Sequence, residues 1–307
     1  MKKVLLIAAI LLMGVSSFAL FRASDIVYVL AAADTPGGGG TYWQTDVWVT
    51  NPGIVSVLLT VEYLPTGEAG NPNPNDPASR YFIDWPDPIG PKATLYIPNV
   101  VAEIKEAYPT VAVSGALIFY GEFASGGIAN LVVNSRTYTP KNTFDPAEGY
   151  YGQDIGGTPW FYYVDSAYAT QQMDAHWLTG LTENGAFRTN VGIVNGSQNH
   201  ILDVKFELYD PAGAKVSEVT VTNIGALAHV QYNQILKNKF SLTTAVDYAL
   251  RISITKATEI NPDLTLSPAL FTYGSKVDNM TGDPNYIEAT YFMEVPATDT
   301  VVNCIWP

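Results

Sequence analysis

The chain has 307 residues, 47% of them hydrophobic and only 15% charged, a balance that excludes a disordered polymer and supplies one large or two medium-sized cores. Sixteen Lys and Arg against 29 Asp and Glu give a net charge of −13, which opposes any nonspecific grip on nucleic acid or anionic lipid.

Lys2 and Lys3 precede an apolar stretch from Val4 to Val15, and Ser17 and Ala19 place small residues at the two positions that a signal peptidase reads. The apolar run is about 12 residues, shorter than the ~20 that a helix needs to cross a bilayer. Residues 1–19 therefore read as a secretion signal, and the expected location is secreted or cell surface, with no membrane span in the mature chain. An exported protein can use disulfides, but Cys304 is the only cysteine, so no intrachain bridge can form. Cys304 is left as a buried small hydrophobe or a link to another chain.

The mature chain opens with an apolar strand, Asp25 to Leu30, and four glycines follow at Gly37 to Gly40. That pairing suggests a strand able to swing out and add to the edge of the next molecule, giving a filament; pairing within its own domain is the default. Phe161 to Val164 is expected to be its counterpart in a second domain.

The sequence then repeats. Trp43 to Asn51 (WQTDVWVTN) returns 144 positions later as Phe187 to Asn195 (FRTNVGIVN), each followed by a turn. Val57, Leu59, Val61 and Tyr63 alternate with Thr60 and Glu62; Leu202, Val204, Phe206 and Leu208 alternate with Lys205 and Glu207. This two-residue period is that of a strand with one buried face. Ile89-Gly90 matches Ile224-Gly225, and the strands 94–97 and 229–232 each lead into a short helical pattern, one carrying Val100, Val101 and Ile104, the other Ile235, Leu236 and Phe240. Closing strands follow at 117–119 with 131–138, and at 250–254 with 269–277.

Short strands, Gly and Pro turns and almost no helix predict an all-β chain of two tandem antiparallel β-sandwich domains of immunoglobulin-like type, each with one short helix. The expected boundaries are 20–140 for the first sandwich, 141–159 for a linker or long loop, and 160–307 for the second. The strings at 40–46 (GTYWQTD), 135–140 (SRTYTP), 186–190 (AFRTN) and 274–284 (GSKVDNMTGDP) resemble a group of secreted bacterial proteins of uncharacterised function with tandem β-sandwich domains. The resemblance implies architecture and export and supplies no catalytic residue. That group usually carries Arg where this chain has Gln44.

No zinc-binding helix, nucleophile elbow, phosphate-binding glycine loop or Cys pair occurs. His176 falls in a connector, His200 in a turn and His229 on a strand surface. The polar positions common to both copies, Thr45 with Thr189, Asp46 with Asn190 and Asn51 with Asn195, are expected to serve folding, by bonding backbone at turns and strand ends. The segment 71–77 (NPNPNDP) and the cluster Asp278, Asn279, Asp283 and Asn285 have the oxygens of a weak calcium loop but not its carboxylates, so no metal or cofactor is expected. Trp43 is expected in the core. Tyr150, Tyr151, Trp160, Tyr162 and Tyr163 crowd the linker, as packing between domains or as rings that stack on sugars. The leading expectation is a noncatalytic structural or adhesive protein whose partners are other protein surfaces, copies of itself included. A carbohydrate-binding module built on the linker aromatics, with glycans as partners, is the alternative, and a secreted hydrolase the third.

Overall fold

The alternating rows seen in the sequence become strands, and their inward sides close three apolar cores. The computed structural model describes residues 23–37, 40–142, 145–165 and 174–293; the expected secretion signal and Cys304 lie outside them. The first half contains β1 (Ile26–Pro36), β2 (Tyr42–Thr50), β3 (Val57–Pro65), β4 (Tyr81–Asp84), β5 (Thr94–Ile97), β6 (Ser114–Phe123), β7 (Val132–Pro140), β8 (Tyr150–Gly156) and β9 (Thr158–Pro159), with helix α1 at Val100–Ala107. The second half contains β10 (Asp174–Glu183), β11 (Phe187–Asn195), β12 (His200–Tyr209), β13 (Lys215–Ile224), β14 (His229–Tyr232), β15 (Ala245–Glu259), β16 (Leu270–Asp278), β17 (Pro284–Glu288) and β18 (Thr290–Met293), with α2 at Ile235–Asn238.

Every pair of neighbouring strands is antiparallel. In the first half, β4, β3, β6, β1 and β9 form one sheet, and β5, β2, β7 and β8 form the facing one. β1 serves both: Ile26 to Ala33 pair with β6, the register slips between Val29 and Ala32, and Asp34 to Pro36 pair with β2. In the second half the sheet β13-β12-β15-β10-β18 faces the sheet β14-β11-β16-β17. The chain is thus an all-β antiparallel sandwich protein with one short helix in each half.

Two details differ from the sequence reading and a third decides between its alternatives. Within 141–159, expected as linker or long loop, Tyr150 to Gly156 pair with β7 along their whole length, and Thr158 and Pro159 pair with β1. Glycines and polar residues hid this strand, since Ile155 is its one fully buried side chain. The counterpart of β1 is β10, which pairs with β15 as β1 pairs with β6; Trp160–Tyr162 is a 3-10 turn instead, and Val164 makes a single bridge to Leu270. Finally, the apolar strand Asp25 to Leu30 pairs by the default mode, inside its own sheet between β6 and β9, with Val27, Tyr28, Val29 and Leu30 all buried.

Val27 and Val29 are buried by their own sandwich, Tyr28 and Leu30 by a third core. One core fills the first sandwich with Val27, Val29, Leu59, Val61, Leu117 and Phe119 among its members. Another fills the second with Leu178, Val191, Ile193, Phe206, Leu250 and Ile252. Between them, Tyr28, Leu30, Leu64 and Ile118 from the outer face of the β1–β6–β3 sheet meet Val194, Leu227, Phe271 and Tyr273 from the second sandwich. The four sheets therefore stack in series, and the inner two are covered on both faces. Continuous apolar runs such as Ala116 to Phe119 are what such a strand requires. Each large side chain buried in the seam adds about 1.5–3 kcal/mol relative to exposure.

Candidate functional site

The seam is more than apolar contact. Tyr28 stacks on Phe271 with ring centroids 4.3 Å apart, and Tyr163 meets Phe271 edge-on at 6.4 Å. The turn after β3 runs along the second sandwich, where Gly67 N donates to His229 O (2.8 Å), Gly225 N to Glu68 O (2.7 Å) and Asn71 N to Ala226 O (2.8 Å). A Cβ on Gly225 would lie 2.0 Å from Ala69 O, so glycine there is what lets the two backbones touch. Gly192 plays the matching part on β11: a Cβ would fall 1.9 Å from the Tyr273 ring, which lies flat across it.

A groove of about 480 Å³ opens beside the seam, where the first sandwich leaves part of the β14–β11–β16 face uncovered. Its floor is the outward row Arg188, Asn190, Gln231, Tyr273 and Ser275; its walls are Thr66, Ser114 and, from the β1 end, Ala31 to Ala33 and Thr35 to Gly37, with the Trp43 ring at one side and Gln153 at the other. No Asp or Glu lines it, although the chain holds 29 of them. Arg188 Nη1 donates to Asn279 Oδ1 (2.7 Å), and Ser275 Oγ donates to Gln153 Oε1 (3.0 Å).

His229 sits at the inner end of this groove, buried where a strand-surface position was expected. Tyr273 OH donates to Gln231 Oε1 (3.0 Å), so its oxygen accepts from His229 Nε2 (3.1 Å) and His229 Nδ1 accepts from the Thr66 hydroxyl (2.8 Å). Ser114 Oγ lies 3.1 Å from Thr66 Oγ1 and extends the chain of hydroxyls. Both ring nitrogens are thus matched to neutral groups, and burial pushes the imidazole pKa down to about 4. His176 is buried in the same manner: Nε2 donates to Tyr162 O (2.9 Å), Nδ1 lies 3.1 Å from Thr272 Oγ1, and its pKa also falls to about 4. His200 Nδ1 is 2.9 Å from Ser197 Oγ, and desolvation lowers its pKa. Each histidine meets a hydroxyl, but none has a carboxylate hydrogen-bonded to its other nitrogen among the described residues. An imidazole that stays neutral far below pH 7 is a weak general base.

The polar positions common to both copies do the same work twice. Asn51 Nδ2 donates to the carbonyls of Val55, Ile89 and Gly90 while its Oδ1 accepts from Gly53 N. Asn195 Nδ2 donates to His200, Ile224 and Gly225, and its Oδ1 accepts from Ser197 N. Thr45 Oγ1 accepts from Ala33 N (2.8 Å) and Thr189 Oγ1 from Thr182 N (2.9 Å), tying β2 to β1 and β11 to β10. Asp46 Oδ1 accepts from Asn99 N and Asn190 Oδ1 from Gln234 N; Asn99 and Gln234 are left-handed residues, at φ 41° and 48°, that start α1 and α2.

The other candidates scatter. In 71–77, Asn71 Oδ1 accepts from Asn73 N and Asp76 Oδ1 from Ala78 N, so the oxygens hold the loop's own backbone. Asp278 Oδ1 accepts from Met280 N and Thr281 N, and Asp283 Oδ1 from Gly152 N in the first sandwich. No group of three metal-ligating side chains converges among the described residues. The linker aromatics fall into two groups: Tyr150 packs edge-on to Tyr138, whereas Trp160 stacks on Tyr163 (6.1 Å) and meets Phe161 edge-on, and Tyr163 carries this second group into the seam against Phe271. Trp43, expected in the core, is half-buried on the groove wall; it lies on the inward row of β2, past the last core residue. Sequence reasoning missed Arg188 and Gln231 as groove residues, because only the docking of the two halves brings them opposite Trp43.

No family model matches the chain, and no curated protein matches it. Among solved structures, the chain is matched to the pilus backbone RrgB from Streptococcus pneumoniae at 13% identity, over 90% of this chain and 88% of that one, with a TM-score of 0.15. Superposition at that level carries no argument about shape or role. No helix among the described residues is long and apolar enough to cross a membrane.

Proposed function

We propose that the chain is an exported, noncatalytic structural or adhesive protein that presents a stiff pair of sandwiches to other surfaces. The observation that carries this reading is the third core: aromatic stacking and three backbone hydrogen bonds join the halves, so the pair behaves as one load-resisting unit rather than as beads on a linker. The histidines support it, since each is spent on internal bonds and two are held neutral down to about pH 4. The signal at 1–19 supplies the route out.

Beads coated with the chain lacking residues 1–19 test the reading. They are expected to adhere to bacterial or matrix-coated surfaces, with adhesion unchanged by His200→Gln, which lies outside the groove. Beads that hold to no surface, together with hydrolysis of an ester, peptide or glycoside that His229→Gln abolishes, contradict it.

A further inference from the structure

We infer that the groove between the sandwiches is a glycan-binding site, in which Trp43 receives the apolar face of a sugar ring and Arg188 a sugar carboxylate. The inference deepens the adhesive reading above by naming what is held, and it uses residues distinct from the linker aromatics.

Size and place come first. About 480 Å³ at a boundary between two domains is the usual setting and scale of a small-molecule site. The lining then selects the chemistry. Thr66, Ser114, Thr137 and Ser275 offer hydroxyls, and Gln153, Asn190, Gln231 and Asn233 offer amides. Such groups both donate and accept, as every sugar hydroxyl does. Trp43 supplies a flat apolar ring on one wall, half-buried and therefore fixed in orientation.

Charge narrows the ligand further. In a chain with a net charge of −13, the groove has no carboxylate on its lining and carries Arg188 on its floor. Asn279 takes Nη1 of Arg188 and orients the guanidinium, a fork that matches a carboxylate in two-point geometry. Asn190 and Ser275, cross-strand partners on β11 and β16, stand beside Arg188 and Val277 on the same face. An acidic sugar, with hydroxyls along one edge and a carboxylate at one end, satisfies this arrangement; a basic peptide meets no counter-charge in it.

A glycan array carrying uronate-bearing and neutral chains, probed with the protein lacking residues 1–19, tests the inference. The expected result is retention on uronate-bearing chains, falling at least tenfold in Arg188→Gln and in Trp43→Ala and recovering in part in Arg188→Lys, with thermal unfolding of all three variants near that of the parent. Absence of retention on every glycan overturns the inference, as does retention that Arg188→Gln and Trp43→Ala both preserve. Equal retention of neutral and uronate-bearing chains overturns the part assigned to Arg188. In each of these failures, adhesion of coated beads to protein surfaces leaves the structural reading standing, so the two can fail separately.

Discussion

Glu62 on β3 and Glu207 on β12 occupy the same place in the two copies, yet they are neutralised differently. Glu62, 1% exposed, receives both arms of Arg80 at 2.5 and 2.6 Å and the Tyr120 hydroxyl at 2.7 Å. Glu207 receives Arg251 from β15 at 2.7 Å, with Lys205 and Lys215 at 3.5 and 3.3 Å. The difference follows from what covers each sheet. The outer face around Glu62 is pressed against the second sandwich, so its neighbours on β6 and β1 are Ile118 and Tyr28 and its cation arrives from the turn before β4. Around Glu207, β15 alternates Arg251 and Ser253 with Leu250, Ile252 and Ile254; Glu207 and Arg251 are buried together on the outer face, and the exposed Lys215 reaches the acid from its open side. One ancestral-looking strand pattern thus tolerates a buried acid in both halves, provided that a cation can reach it from whichever side remains open.

Removing the cation should give the largest effect and should separate the halves. Arg80→Met leaves Glu62 without a counter-charge in a covered layer and is expected to cost about 3–5 kcal/mol, read by chemical denaturation. Arg251→Met is expected to cost less, because Lys205 and Lys215 still reach Glu207; equal losses would show that the two environments do not differ as described.

Acid should act next. His176 and His229 keep pKa values of about 4 in the folded chain, against 6.5 for an ordinary imidazole. A lowered histidine pKa means that the unfolded chain takes up protons that the folded one refuses. Stability is therefore full above about pH 6.5, falls as pH drops towards 4, and each histidine contributes up to ~3 kcal/mol of the loss. His229→Gln is expected to reduce the proton uptake on unfolding near pH 5 by about one; an unchanged pH slope would contradict the burial of His229 in the seam.

Asn51→Ala and Asn195→Ala probe what the copies share. Each removes three donor bonds to turn carbonyls, and each is expected to cost ~2–3 kcal/mol, similar in the two halves. A loss at only one site would mean that the repeated asparagines are not equivalent. The smallest effect belongs to Trp48→Gly. Trp48 stacks on Tyr96 at 5.3 Å on the uncovered face of the first sandwich, where its counterpart Gly192 makes room for Tyr273 in the seam. Losing that half-exposed ring and adding a strand glycine is expected to cost ~1–2 kcal/mol, whereas Gly192→Trp should not fold with the seam intact.

Much of this was legible in the residues and some was not. The repeat, the strand rows and the turn-holding roles of Asn51, Thr45 and Asp46 follow from local chemistry, which acts the same wherever the pattern occurs. The period of two also assigned Glu62 and Glu207 to solvent, because it separates two faces without saying what lies over the second one. Asp25 to Leu30 announced an apolar strand that pairs with its own sheet or another molecule; that its outer face is also covered, by the second sandwich, depends on contacts some 240 residues away, such as Tyr28 on Phe271. For the same reason the groove was invisible: Trp43 and Arg188 belong to matching strands of different copies and become neighbours only when the halves dock.

Calorimetric unfolding of the chain lacking residues 1–19, with and without Phe271→Ala, tests the fused third core most directly. A single cooperative transition, its calorimetric and van't Hoff enthalpies equal, that Phe271→Ala lowers or splits in two is the predicted result. Two independent transitions in the parent protein, unmoved relative to one another by Phe271→Ala, would contradict it.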